Sequence, residues 1–367
     1  MNDEATRVPI LFCSPYHADV SRVGADFRSA QIFEICRAAG FEPKSVAWTP
    51  VGLGARLVAG IRMGAALRRR GMRLRWRELS LAGFHAVNVA RAIAAHRGAR
   101  ILLWESTGIA ASAWVARASG YSVVALSQYF ESLDGTVKGL AELQREVDRM
   151  ALADRIFCIS EEEMWLLANL RLTSDWLPYY PPQERCATRA KIAGIRAAGI
   201  PHGAPWLVIG SAYYPPNREG LERLLRWLGP ITRRGTRVTV VGFGTEDLAK
   251  GFVGSTIDFL GPVSEEMLMA LLSTARGLIV HQDRGAGVIT RIPDALLAGL
   301  PVIANGFAAR GTAGYQGISV YDTPEELQAL LESPNSAPFS PPPPPRAAQA
   351  RLGRVLHELA LGQDDFS

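Results

Sequence analysis

Residues 285–305 read GAGVITRIPDALLAGLPVIAN, a glycine-rich turn running into a helix start and then into an apolar strand. Arg291 and Asp294 lie three apart, a spacing that puts both on one helix face. Pro293 between them fits only the first helical turn, so both charges belong to the N-terminal end of the helix. Backbone N–H groups of Gly285, Ala286 and Gly287 and of the turn that follows, Val288 and Thr290 included, would cradle a diphosphate there. Arg291 would neutralise phosphate oxygens, and Asp294 would accept hydrogen bonds from ribose hydroxyls. The helix stops at Ala298-Gly299, and Leu300-Pro301-Val302-Ile303-Ala304 reads as the next buried strand. The stretch is a nucleotide site in outline; an ordinary strand-loop-helix-strand unit with a surface Arg and Asp is the plainer alternative.

Outward from this block, short strands alternate with helical segments, the pattern of parallel α/β sheets. Strands are expected at 8–13, 43–48, 100–104, 122–127, 155–160 and 174–177, and again at 206–210, 237–241, 257–260, 277–280, 301–304 and 318–321. Two Rossmann-like sheets follow, which suits a chain of 367 residues. Tyr179-Tyr180-Pro181-Pro182-Gln183 reads as the linker, giving domains 1–180 and 181–334, then a proline-rich spacer and a last helix over 335–367. Ligands of open α/β sheets bind beyond the carboxyl ends of the strands, so two such domains are expected to share a cleft, donor on one side and acceptor on the other. The four cysteines show no paired spacing for a metal and two fall in expected core strands, so reduced thiols and no zinc are expected. Apolar runs are short and interrupted, so neither a spanning helix nor a signal peptide is expected, and a cytoplasmic place follows.

The 285–305 block resembles the donor motif of the retaining GT-B glycosyltransferases, in particular the glycogen-synthase-like group called family four. That motif runs roughly Gly-x-x-x-Lys-x-x-Glu-Ala-Leu-Ala-x-Gly-x-Pro-Val, and Gly287, Arg291, Asp294, Ala295, Leu296, Gly299, Pro301 and Val302 stand in its places. Arg replaces the usual Lys and Asp the usual Glu, which keeps charge and changes reach. Ala286 stands where many members carry a Glu that contacts the transferred sugar. Other segments extend the likeness along the chain. Ala153-Asp154-Arg155-Ile156 to Ser160 resembles the end of the family's first domain. Ser211 to Asn217 resembles the loop after the first strand of the second domain in the bacterial polysaccharide branch, and Phe259 to Ser264, with Val263, the loop flanking the nucleotide base. The resemblance implies donor contacts from Gly24, Ser211, Asn217 and Val263 as well as from the 285–294 block.

Three further features admit more than one reading. Gly242-Phe243-Gly244 is half of a dinucleotide fingerprint without its third glycine, and a structural turn is the simpler account. The long polar segment after the first strand holds His17, Gly24 and Arg28, and Glu105 closes the strand at 100–104. In the resembling enzymes these places approach donor and acceptor, which nominates His17, Arg28 and Glu105 as catalytic. Residues 56–77 carry eight arginines and no acid among Leu, Val, Ile, Met and Trp, and the chain has a net charge of +5. Such a stretch can lie on an anionic membrane or form a solvated face; no nucleic-acid motif accompanies it, so no nucleic acid is expected.

The resulting expectation is an α/β protein of GT-B architecture that moves a sugar from a nucleotide-diphosphate donor, of UDP or GDP type, to a hydroxyl of a glycan, lipid-linked or small-molecule acceptor. Polysaccharide biosynthesis and a peripheral place at the membrane's inner face belong to the same expectation. Donor aside, no cofactor is expected, and with no Asp-x-Asp in the chain no metal site either. A non-catalytic GT-B-like nucleotide-binding or scaffold protein, or a nucleotide-sugar epimerase, are the competing readings.

Overall fold

A computed structural model describes residues 7–14, 24–69, 78–128, 130–133, 139–233, 235–252, 256–312, 314–333 and 338–362. The chain divides into two compact units, Met1–Tyr179 with Pro345–Ser367, and Tyr180–Pro344. The last helix therefore belongs to the first unit instead of standing apart with the proline-rich spacer.

In the first unit, strands β1 (Val8–Cys13), β2 (Phe41–Ser45), β3 (Ile101–Trp104), β4 (Ser122–Ser127), β5 (Arg155–Cys158) and β6 (Asp175–Trp176) form one sheet in the order β2-β1-β3-β4-β5-β6, every pair parallel. Strand β2 begins two residues before the expected position and contains Pro43, which the sheet tolerates because β2 is an edge. The helices are α1 (Gly24–Ala38), α2 (Leu53–Arg68), α3 (Leu79–Ala95), α4 (Ala110–Ala118), α5 (Gly139–Met150) and α6 (Glu161–Asn169). The two-residue period of β1 and β3 sends Leu11, Cys13, Leu102 and Trp104 into one core and Ile10, Phe12, Ile101 and Leu103 into the other.

The second unit begins with α7 (Gln183–Ala197) and then repeats the scheme through β7 (Trp206–Ile209), α8 (Pro215–Thr232), β8 (Val238–Val241), α9 (Thr245–Leu248), β9 (Ile257–Gly261), α10 (Glu265–Thr274), β10 (Leu278–Val280), α11 (Arg291–Leu297), β11 (Val302–Asn305), β12 (Ile318–Tyr321) and α12 (Pro324–Glu332). Its sheet runs β12-β11-β10-β7-β8-β9, again parallel throughout. Helix α12 is fixed at its start by a reciprocal cap between Thr323 and Glu326, and α10 by Ser264, whose hydroxyl accepts from the Met267 N–H. Helix α13 (Arg346–Leu361) returns to the first unit and buries Leu352, Val355 and Leu356 in the core with Ile10, Phe12 and Ile32.

Each strand order reverses at one point, between β1 and β3 in the first sheet and between β7 and β10 in the second. Loops leaving those two strands diverge to opposite faces and open a crevice at the carboxyl edge. At the second reversal the backbone is packed to its limit. Gly242, just past β8, holds φ 131°, and a Cβ there would stand 1.8 Å from the Gly210 carbonyl oxygen. Gly242→Ala is therefore expected to destabilise the second unit by about 2 kcal/mol or more, read as a lowered thermal midpoint. An unchanged midpoint would show that the edge can relax.

Candidate functional site

The β7/β10 reversal places two of the nominated stretches on neighbouring strand ends, the one after β7 and the one after β10, while Val263 follows the edge strand β9. Ser211 follows β7, and its hydroxyl accepts from the Tyr213 N–H at 3.3 Å. Asn217 lies in the first turn of α8, whose Pro216 stands 3.8 Å from where a Cβ on Gly285 would be. Gly285 and Gly287 hold φ of 127° and 72°, so the loop after β10 takes a course that glycine permits and other residues resist. That loop is tied down from several sides. Arg284 pairs with Glu219 of α8 at 2.5 Å, and Arg223 of α8 with Asp283 at 3.1 Å. His281 stands 3.1 Å from Asp283 and 2.9 Å from the Tyr321 hydroxyl, and burial pushes its imidazole below the usual range. Val288 lies against Gly311, Thr290 is half-buried just ahead of α11, Ala286 is half-buried within the loop, and Val263 sits at the carboxyl end of β9.

Arg291 is the group whose chemistry is least settled by its surroundings. It is half-buried at the first position of α11, its Nε is buried without a hydrogen-bond partner, and no ion pair to it occurs among the described residues. Burial alone pushes its guanidinium down to about 10, with no carboxylate acting on it. A half-buried guanidinium with no ion pair among the described residues is a candidate position for an anionic ligand.

Asp294 has a different environment from the one expected. Its side chain is 9% exposed and faces α7, where Arg185 Nε donates to Oδ2 at 2.6 Å and Arg189 lies 3.6 Å away. The carboxylate is thus already neutralised within the unit, and Oδ1 is a buried oxygen without a partner among the described residues.

In the first unit the β1/β3 reversal gathers a polar cluster. Glu105, directly after β3, is only 2% exposed. Ser29 Oγ donates to it at 2.7 Å and Gln128 Nε2 at 3.2 Å, and Ser14, after β1, also hydrogen-bonds to it. Burial nonetheless raises its carboxyl to about 7, against those donors and the Arg28 charge. Arg28 is fully buried. Its guanidinium donates to the Leu177 and Pro178 carbonyls at 2.6 and 3.2 Å and to Gln31 at 2.7 Å, clasping α1 to the segment after β6. Neither residue presents its charge at the surface of its unit. A guanidinium answered by carbonyls holds the fold. Gly24 starts α1, and His17 lies outside the described residues.

Two features escaped the sequence reading. Arg310, in the turn after β11, donates to the Gly285 carbonyl at 3.1 Å and stacks over Phe307, so it braces the glycine loop. The exposed rings of Tyr213 and Phe243 stack 6.5 Å apart beside the β7 and β8 ends. A cation five residues past β11 was the available signal for the first. For the second it was an aromatic in each of two loops following neighbouring strands.

No protein-family model matches the chain, and no curated protein matches it in sequence. Solved structures do match its fold. Sucrose-phosphate synthase from Thermosynechococcus elongatus superposes with a TM-score of 0.61 at 16% identity, covering 97% of this chain and 95% of that one. An α,α-trehalose-phosphate synthase (UDP-forming) from Burkholderia vietnamiensis gives 0.61 at 12% identity over 99% and 96%. The UDP-GlcNAc 2-epimerase of Methanocaldococcus jannaschii, in complex with UDP-GlcNAc and UDP, gives 0.53 at 12% over 96% and 99%. The fold is GT-B: two Rossmann-like units, each a parallel sheet flanked by helices.

Glu105 supplies a titration that can be read directly. Its folded-state value of about 7 lies above the ordinary 4.5, so protonation favours the folded state. The stability it contributes is full below about pH 4.5 and lost by the time pH passes 7, on the order of 3 kcal/mol. Relative to Glu105→Gln, the wild type should lose thermal stability steadily from about pH 4.5 to 7 and level off above that. A difference that stays constant with pH would contradict the buried-carboxyl account.

Proposed function

We propose that this chain is a glycosyltransferase that binds a nucleoside diphosphate sugar, of UDP or GDP type, on its second unit and transfers the sugar to a hydroxyl of a glycan, lipid-linked or small-molecule acceptor. The observation that carries the reading is Arg291: a half-buried guanidinium with no ion pair among the described residues, beside a braced glycine loop at the reversal of a doubly wound sheet. Gly285 to Gly287 and Ser211 flank the diphosphate from the two diverging loops, and Arg310 keeps the glycine loop in place. Asp294 uses Oδ2 for the α7 arginines and leaves Oδ1 as the acceptor for a ribose hydroxyl. As the sugar–phosphate bond breaks, charge collects on the departing diphosphate, and a cation fixed beside it stabilises that charge. Retention at the anomeric carbon is what the family-four resemblance implies. The synthases of similar fold support transfer; the epimerase of similar fold supports the donor and offers the competing outcome.

Titration calorimetry with UDP and GDP tests the site. One nucleotide should bind to wild type, and Arg291→Ala should weaken it roughly 10- to 100-fold, the loss expected when a charge-assisted hydrogen bond is removed, with Arg291→Lys recovering part. Absence of binding by either nucleotide would leave the scaffold reading, and conversion of a nucleotide sugar with no acceptor present would establish the epimerase.

The same protein is proposed to act at an anionic membrane surface. Leu53, Leu57 and Ile61 recur every four residues on α2 and are exposed, with Val58 beside them, while Arg62, Arg68 and Arg69 are exposed on a helix with no acid. Helix α3 fixes this face outward by close approach: a Cβ on Gly83 would stand 1.8 Å from the Arg56 carbonyl oxygen. Among the described residues no helix is long and apolar enough to cross a membrane. Phosphatidylglycerol vesicles should sediment the wild type, phosphatidylcholine vesicles should not, and Leu57→Glu with Ile61→Glu should abolish the difference. Equal sedimentation of the double variant would assign the helix to a solvated face.

A further inference from the structure

The second sheet has another opening, at the edge opposite the β7/β10 crevice. A cavity of about 830 Å³ lies under the amino ends of β7, β11 and β12, walled by α7, α12 and the segment containing Phe339. That volume is in the range of small-molecule sites. Its charged lining residues are two arginines, Arg196 and Arg276, with no carboxylate among them.

Arg196 is 6% exposed, and its Nε and Nη1 donate to the carbonyls of Gly299, Leu272 and Ala275 at 2.6–3.0 Å. Its Nη2 is buried with no partner among the described residues, and burial lowers the guanidinium to about 10. Arg276 lies 5.1 Å over the Trp206 ring and donates to the Ser333 carbonyl. The Trp206 indole Nε1 is buried and unpartnered as well. Gln316 accepts from the Ser340 N–H through Oε1, which leaves its amide nitrogen as a further donor. The cavity thus combines two cations, unmet N–H donors and two aromatic rings, an arrangement matched by a ligand with an anionic group on a flat or apolar body.

We propose that this cavity is a second ligand site, distinct from the nucleotide crevice, for a small organic phosphate or carboxylate carrying a ring. The anion meets Arg196 and Arg276, and the ring packs against Trp206 and Phe339. The inference stands independently of the transferase reading, because its residues share nothing with the Arg291 site.

The probes are phenyl phosphate and inorganic phosphate, titrated calorimetrically into full-length Arg291→Ala protein so that the crevice does not contribute. Phenyl phosphate should bind, inorganic phosphate about tenfold more weakly. Arg276→Met and, separately, Ala197→Trp, which fills the cavity from an exposed position on α7, should each remove binding while leaving the thermal midpoint of the unliganded protein in place. No binding by phenyl phosphate to a folded protein overturns the proposal, as does binding that survives both substitutions; equal affinity of the two probes overturns the role of the ring.

Discussion

A guanidinium removed from water must recover its hydrogen bonds elsewhere, and much of this molecule is organised by how its arginines do so. Arg28 recovers them from the carbonyls after β6, and by doing so fixes α1 to the far side of the first sheet. Arg196 recovers three from the carbonyls of Leu272, Ala275 and Gly299. Arg185 and Arg189 share one carboxylate oxygen of Asp294. Arg291 breaks the pattern. It is half-buried, and its Nε has no partner among the described residues.

The topology explains why that exception falls where it does. In a doubly wound sheet only the reversal leaves two adjacent strand ends without a loop crossing between them, so only there can backbone from both sides approach one ligand. The β7 loop brings Ser211 and the β10 loop brings Gly285 to Arg291 to that place. The first sheet has its own reversal, and it is filled differently. Ser14, Ser29 and Gln128 close around Glu105 and leave it dry. One crevice keeps an unsatisfied charge and the other satisfies a costly one, although both arise from the same winding.

The fold was legible because parallel strands buried on both faces read as short apolar runs, and each expected run found its strand to within three residues at either end. The site was legible wherever backbone conformation demanded a residue type: Gly285, Gly287 and the early proline of α11 announce the turn regardless of its partners. Side-chain pairing across long separations was not legible. Nothing in the spacing of Arg291 and Asp294 shows that Arg185, 109 residues earlier, holds the carboxylate. Nor does a polar residue before a helix reveal that Arg28 is consumed by carbonyls 149 and 150 positions on. Periodicity encodes which face is buried, whereas the partner met on that face depends on how elements pack.

Helix α7 shows what such packing adds. Its first turns carry Arg185 and Arg189 to Asp294, and its last turn carries Arg196 to the Gly299 carbonyl, so α11 is gripped just inside its start and just past its end by one helix. The position of Arg291 at the head of α11 therefore depends on how α7 lies against it. Arg196 also lines the cavity on the opposite edge of the sheet, where its Nη2 has no partner.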